Sequence, residues 1–303
     1  GGGDDVALGA ALRLVGASAP SPSADHTSPG PDPPTVHVAV RVAAACVDVL
    51  PWARARHVEG VTGDEWRRRA AHASEPARVR LAIQAFGVME VWAASAWRGA
   101  VRRAALRPLL LPVLERAASD APSASGGACD DAGVARAVPS GWTRTDGCRL
   151  VHASLRLASA LLRGLPADAD AAVDVSRALA PLVVLARTCG RSPSASEEHG
   201  RPRAAAMRAL AVLLPHAPTA SDEIGACVRD GARSTEAEVQ LAALELLRAA
   251  LSEGGCAHGE LSEASARRAA GWGASAELVV LAAGSMEVAH HDGARVIASA
   301  LRV

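Results

Sequence analysis

The segment Pro76-Ala77-Arg78-Val79-Arg80-Leu81-Ala82, which continues through Phe86 to Val91, carries the pattern from which the rest of the chain can be interpreted. Its apolar residues recur at i, i+3, i+4 and i+7, the spacing of a helix with one buried face. Ser74 offers a capping hydroxyl before this segment, and Pro76 stands in the first turn, where its missing N–H costs nothing. The segment therefore predicts a capped helix that needs a packing partner.

The same apolar stripe recurs in the segments 40–50, 203–214 and 239–251. Thr62-Gly63-Asp64-Glu65 has the spacing of a capping box just before Trp66. Two further apolar segments, 106–114 and 178–185, contain proline, which begins or kinks a helix. Strand patterns are poor, because Ile and Thr are few and no alternating run is bounded by an Asn-Gly turn. The sequence predicts an all-α chain.

Pairing these helices divides the chain into units of about 40 residues, a spacing typical of a solenoid of helical pairs. The predicted units are a half-unit at 35–50 and full units at 52–92, 97–163, 169–214, 219–251 and 261–303. Residues 1–34 predict a short helix followed by a flexible segment rich in Ser and Pro. Similar composition predicts flexible insertions at 119–141 and 190–202.

The segment 76–82 resembles the second helix of a HEAT repeat, and the proline-containing segments resemble its first helix. The resemblance is to the HEAT/armadillo superfamily. It implies a right-handed α-solenoid of stacked antiparallel helix pairs over 35–303, with long disordered loops. It also implies that the helices starting near Thr35, Ser74, Arg203 and Thr235 line the concave face. Its structural ladder residues correspond here to Arg41, Arg78, Arg80 and Arg203.

Composition excludes several kinds of chemistry. All 32 basic residues are Arg, so the chain of 303 residues has no phosphate loop ending in Gly-Lys and no lysine nucleophile. His290 and His291 are adjacent, so on a helix their rings point about 100° apart and cannot clasp one ion. Cys256 and His258 lack a second pair with zinc spacing. We expect no catalytic residue, no metal, no cofactor and no small-molecule substrate.

Location is predicted from the six cysteines, which are dispersed without a C-x-x-C pair and indicate a reducing compartment. We expect the cytoplasm, with the nucleus as the alternative. No apolar run approaches the roughly 20 residues that span a bilayer, so no membrane is expected. The chain starts at Gly1 and stops at Val303 within an apparent helix, and we expect it to be part of a longer protein.

Charge is unevenly distributed, although the net charge is zero. Residues 52–116 contain 12 Arg against 6 acidic residues, whereas residues 221–263 contain 3 Arg against 9 acidic residues. The basic part predicts a partner-binding patch for an acidic protein or for RNA phosphate. The alternative is a solvated helix face with its Trp residues in the core. The candidate binding residues are Arg67, Arg68, Arg69, Arg98, Arg102 and Arg103.

Two functions follow from this pattern. The first is a non-catalytic scaffold or adaptor domain of a larger intracellular protein, which binds another large or extended protein along its ridged surface. The second belongs to RNA metabolism. The stretch Glu238-Val239-Gln240-Leu241-Ala242-Ala243-Leu244 is loosely similar to repeats of THADA-like regulatory subunits of tRNA 2′-O-ribose methyltransferases. That similarity implies a role in tRNA processing.

Overall fold

The computed structural model describes residues 34–50, 64–120, 145–163, 165, 169–188, 197–216 and 221–252. Within these ranges the chain is helical and contains no strand, which confirms the all-α prediction. The insertion predicted at 119–141 begins two residues early, because α5 extends to Ser119 and Asp120 follows it as a turn. The rest of that insertion, the predicted helix before residue 34 and the last predicted unit at 261–303 lie outside the described residues.

The described helices belong to two compact units. Unit 1 comprises α1 (Pro34–Asp48), α2 (Asp64–His72), α3 (Glu75–Ala93), α4 (Arg98–Val101), a π-helical segment (Arg102–Leu110), α5 (Leu111–Ser119) and α6 (Thr145–Leu162). Unit 2 comprises α7 (Ala169–Thr188), α8 (Glu197–Leu213) with a 3₁₀ turn at Leu214–His216, α9 (Ser221–Ala232) and α10 (Ala237–Ser252).

Helix α3 starts as the sequence predicts, with Pro76 in its first turn and Ser74 in the extended conformation before it. The predicted hydroxyl cap is wrong, because the Ser74 side chain makes no capping hydrogen bond. The Ser74 carbonyl instead accepts a hydrogen bond from the backbone N–H of Arg78 at 2.9 Å, and this bond closes the first turn.

The prolines of segment 106–114 do not break the helix there. Helix α4, the π-helical segment and α5 form one continuous helical stretch, since Val101, Leu110 and Leu111 all keep right-handed helical dihedral angles. The Leu111 N–H donates to the Leu106 carbonyl, five residues back. A wider turn of this kind accommodates Pro108, which lacks an N–H and whose ring clashes with an α-helical carbonyl one turn back.

The core of unit 1 lies around α1 and α3. Helix α1 is rich in Ala and Val and buries most of its length against α2, α3 and the π-helical segment. Helix α3 packs on α1 and also on α6, and it contributes Phe86, Met89 and Trp92 to the core. A helix buried on more than one side is held by several neighbours at once, and this arrangement fixes the position of α3.

Unit 2 contains two helical hairpins that pack against each other. Helix α7 contacts α8 and α9, and α10 contacts α8 and α9. Gly231 allows the close approach of α9, because a Cβ there would lie 2.7 Å from both the Ala243 Cβ and the Met207 Cε. Small residues at such points let helix backbones come closer than bulkier side chains allow.

One predicted loop boundary differs from the structure. Residues 190–202 were expected to form a flexible insertion from their Ser, Pro and Gly content, yet α8 already begins at Glu197 and contains Pro202 in its second turn. Pro202 is the sixth residue of α8 and lies beyond the first four N–H groups, which lack an intrahelical partner, so the helix gives up one hydrogen bond there. Composition therefore placed the end of this loop too late.

Candidate functional site

The six predicted binding arginines lie on two separate stretches of helix in unit 1. Arg67, Arg68 and Arg69 are on α2, which packs against α1. Arg98 begins α4, which packs against α3, and Arg102 and Arg103 open the π-helical segment. The prediction grouped these residues only because they are close to one another in the sequence. In the structure they lie on helices with different packing partners.

Arg67 is held by a buried carboxylate. Its Nε donates to Asp48 Oδ2 at 2.7 Å, and the Asp48 side chain at the end of α1 is only 4% exposed. A second carboxylate, Asp64, lies 3.8 Å from Arg67 Nη1. The guanidinium therefore attaches α2 to α1 and is already neutralised.

Arg68 and Arg69 contact their own helix. Arg69 pairs with Glu65 one turn back and lies over the Trp66 ring, 5.6 Å from its centroid. Arg68 Nε donates weakly to the Asp64 carbonyl at 3.4 Å. These are exposed intrahelical contacts, which contribute little to stability.

Arg98 connects the ends of three helices. Its Nε donates to the Ala93 carbonyl at the end of α3 at 2.7 Å, and its Nη1 donates to the Arg163 carbonyl just after α6 at 3.3 Å. The last carbonyls of a helix lack intrahelical partners and carry partial negative charge, so a cation there is stabilising. Arg102 is half-buried and Arg103 is exposed.

The tryptophans of this region pack as a structural pair. Trp92 is 1% exposed and forms an edge-to-face contact with half-buried Trp97, with ring centroids 5.3 Å apart. This geometry is the one that aromatic quadrupoles favour. Trp66 is half-buried against Arg69. Trp92 therefore lies in the core, as the structural alternative for this region predicts.

The ladder residues implied by the resemblance divide into two groups. Arg78 Nε donates to the Ala73 carbonyl at 2.8 Å and its Nη1 to the Val49 carbonyl at 3.3 Å. Arg203, 5% exposed, donates to the Ala186 carbonyl in the last turn of α7 at 2.9 Å. Arg41 and Arg80 are instead exposed. Two of the four thus hold backbone carbonyls of other segments, and two remain on the surface.

Another surface of unit 1 was not singled out by the sequence. Helices α3 and α6 run side by side in the same direction, since Glu90 contacts Arg156 and the ends of both helices meet at Arg98. We call their outward side the α3–α6 face. It consists of the outward residues Arg80, Gln84, Gly87, Glu90 and Val91 of α3 and Asp146, Arg149, Ala153 and Arg156 of α6, with Arg163 just beyond the end of α6. Its only sequence signal is the polar stripe opposite the apolar one.

Cys227 of α9 is a buried free cysteine. Burial raises the pKa of its thiol to about 12, and its Sγ lies 3.9 Å from the Val183 carbonyl. The thiolate is the reactive form of cysteine, so a thiol held neutral in this way is inert at neutral pH. Among the described side chains, no group of three His, Cys, Asp or Glu residues is arranged to hold a metal ion.

No protein-family model, curated protein or solved structure matches this chain. The helices of the described ranges are all too short or too polar to cross a bilayer.

Proposed function

We propose that the chain is a non-catalytic scaffold or adaptor domain, built from stacked helical pairs of the HEAT/armadillo type, that binds another protein. The proposal rests first on the arrangement of unit 2. Arg203 near the start of α8 binds the Ala186 carbonyl near the end of α7, as expected for an antiparallel hairpin. Helices α9 and α10 form the next hairpin.

The two hairpins of unit 2 are in register with each other. Along α7 and α9, Val183 contacts Cys227 and Arg187 lies 4.0 Å from Asp230, so the two helices run in the same direction. Arg208 of α8 meets both Glu238 and Glu245 of α10, at 3.1 and 2.8 Å. First helix beside first helix, and second beside second, is the packing by which helical repeats cover each other's apolar faces.

Unit 1 repeats part of this arrangement, in that α3 and α6 are parallel neighbours joined by Glu90 and Arg156. Helix α1 departs from it, because Arg78 near the start of α3 reaches the Val49 carbonyl just after the end of α1. In a regular stack the second helices are parallel, so the start of one would lie beside the start of the next. Helix α1 therefore resembles a terminal element, which in repeat proteins is commonly atypical.

A scaffold function follows from the surface that such stacking leaves. Each helix buries one stripe in the stack and presents the opposite stripe to solvent, so successive helices form a ridged surface suited to large or extended partners. The observation that carries the proposal is the register of the two hairpins in unit 2. The right-handed superhelix and an intracellular location belong to the proposal as well.

The test uses the purified full chain as bait for candidate proteins, followed by size-exclusion chromatography and cross-linking mass spectrometry. We expect a protein complex of defined stoichiometry, with cross-links along helix surfaces of the described units. A titration of tRNA at about 50 and 200 mM salt runs in parallel. Tight tRNA binding that falls about 10³-fold or more between these salts, with no protein complex, contradicts the scaffold and favours the tRNA-methyltransferase regulator.

A further inference from the structure

We propose that the α3–α6 face of unit 1 binds an acidic, amphipathic segment of a partner protein. This inference rests on the proposed function and assigns it a surface and a partner chemistry. The surface differs from the one predicted from the sequence, since none of its four arginines is among the six candidate binding residues.

The face has a low centre between two helices that are fixed relative to each other. Arg156 Nη2 and Nε donate to Glu90 Oε1 at 2.8 and 3.1 Å, and this pair bridges α3 and α6. One turn before Glu90 stands Gly87, where a Cβ would meet nothing within 4 Å. Ala153 holds the corresponding position one turn before Arg156. Because both residues are small, they leave space in which a partner side chain fits.

An apolar anchor point adjoins this low centre. Val91 is 62% exposed, the largest value among the exposed large apolar side chains that the structure describes. It follows Gly87 by one helical turn and so shares its face. A single exposed valine is ordinary on a protein surface. Its position beside this gap, on the same face as Gly87, is what suits it to an apolar side chain of a partner.

The net charge of the α3–α6 face as a whole is positive. The α3–α6 face contains four arginines (Arg80, Arg149, Arg156 and Arg163) against two carboxylates (Glu90 and Asp146), an excess of two positive charges. Both carboxylates are already paired, Glu90 with Arg156 at 2.8 Å and Asp146 with Arg149 at 3.9 Å. Guanidinium groups bind carboxylates bidentately, so acidic side chains complement this rim.

A protein segment fits the face better than RNA does. Affinity for RNA grows with the number of phosphates neutralised, and an excess of two charges gives a weak electrostatic term. Single-stranded RNA also gains from aromatic stacking, and none of the residues that form this face is aromatic. The distance along α3 from Arg80 to Val91 is about 16 Å at 1.5 Å per residue, which matches about three turns of a partner helix.

The probe for the test is a helical peptide of about 15 residues, with Glu on one face and Leu on the other. A scrambled peptide of the same composition and a poly-uridine RNA of about 15 nucleotides serve as comparison ligands. Binding to the full chain is measured by fluorescence anisotropy. The variants are Arg80→Glu/Arg149→Glu and Val91→Gln, and Arg201→Glu, at an exposed position of α8, is the matched control. Circular dichroism checks that each variant is folded.

We expect the amphipathic peptide to bind at least tenfold more tightly than its scrambled isomer. The double charge reversal should weaken binding at least tenfold, Val91→Gln at least threefold, and the control by less than twofold. The proposal is overturned if both peptides bind equally, if neither binds, if the α3–α6 variants bind as the native chain does, or if RNA binds more tightly through the same arginines.

Failure of this inference can be told apart from failure of the proposed function. If a captured protein cross-links to other helix surfaces and the α3–α6 variants retain it, the face is wrong while the scaffold function stands. If no protein forms a complex and tRNA binds instead, the scaffold function itself fails.

Discussion

Replacing Gly87 and Gly231 by alanine, one at a time, should change stability in opposite directions. Gly87 lies in the middle of α3, where alanine is favoured over glycine by about 1 kcal/mol, whereas Gly231 lies in the last turn of α9, where this preference is smaller. At Gly87 the new methyl group meets nothing within 4 Å, so Gly87→Ala should raise the free energy of unfolding by about 0.5–1 kcal/mol.

At Gly231 that carbon would lie 2.7 Å from the Ala243 Cβ and from the Met207 Cε. Ordinary carbon–carbon contact is about 3.5–4.0 Å, so α9 must move by roughly 1 Å. The methionine end can rotate, but the Ala243 Cβ is fixed to its backbone. Overpacking of this kind costs about 1–3 kcal/mol. The helix-propensity gain in the last turn is only a fraction of about 1 kcal/mol, so Gly231→Ala should lower stability by about 1–2 kcal/mol.

The measurement is urea unfolding followed by circular dichroism, combined with hydrogen exchange of the α9 and α10 amides. Destabilisation by Gly231→Ala should appear first as faster exchange in these two helices. Met207→Ala truncates a buried side chain and is itself destabilising, so the relief is read from a double-mutant cycle: Gly231→Ala should cost less in the Met207→Ala background than in the native chain. The interpretation of the packing is refuted if Gly231→Ala stabilises the chain as much as Gly87→Ala does.

Three further variants test single contacts. Arg203→Met should lower the free energy of unfolding in urea by about 2–3 kcal/mol, because it removes a charged donor from the buried Ala186 carbonyl at the end of α7. The control Arg201→Met, at an exposed position, should change it by less than about 0.5 kcal/mol. Equal effects of the two variants would mean that the carbonyl is solvated. Burial raises the pKa of the Cys227 thiol from 9.0 to about 12, so as the pH rises the unfolded chain loses this proton before the folded chain does. Between pH 9 and 12 the free energy of unfolding should therefore fall by about 1.4 kcal/mol per pH unit through this group. Cys227→Ala must reduce this slope. Asp48→Asn should speed hydrogen exchange in α2 and cost about 1–3 kcal/mol, since its buried carboxylate pairs with a partly exposed arginine; unchanged exchange there would show that α2 is held by other contacts.

Much of the helical pattern was predictable because burial leaves a periodic trace. The stripes at 79–91 and 239–251 fall within helices, as does most of 40–50 and of 203–214. The continuous helix through Pro108 was not foreseen, since a π-helical turn depends on how neighbouring carbonyls rearrange, and the sequence does not record this.

The candidate sites were harder to predict for a different reason. Clustering along the chain suggested Arg67 and Arg98 as ligand-binding residues, but the partner of Arg67 is 19 positions away and one partner of Arg98 is 65 positions away. Such partners become visible only after folding. The α3–α6 face joins residues of two helices separated by a long loop, and solvated positions show no apolar periodicity to mark them.

The absence of lysine has a mechanical consequence for this chain. A guanidinium is a rigid fork with several donors, whereas an ammonium is a single point on a flexible stem. Arg78 and Arg98 each use this fork to join carbonyls from separate segments, so they act as tie-bars between helix ends that a lysine could not replace with fixed geometry. The exclusive use of arginine thus provides fixed connections between helix ends in a chain whose many alanines offer little side-chain volume for packing.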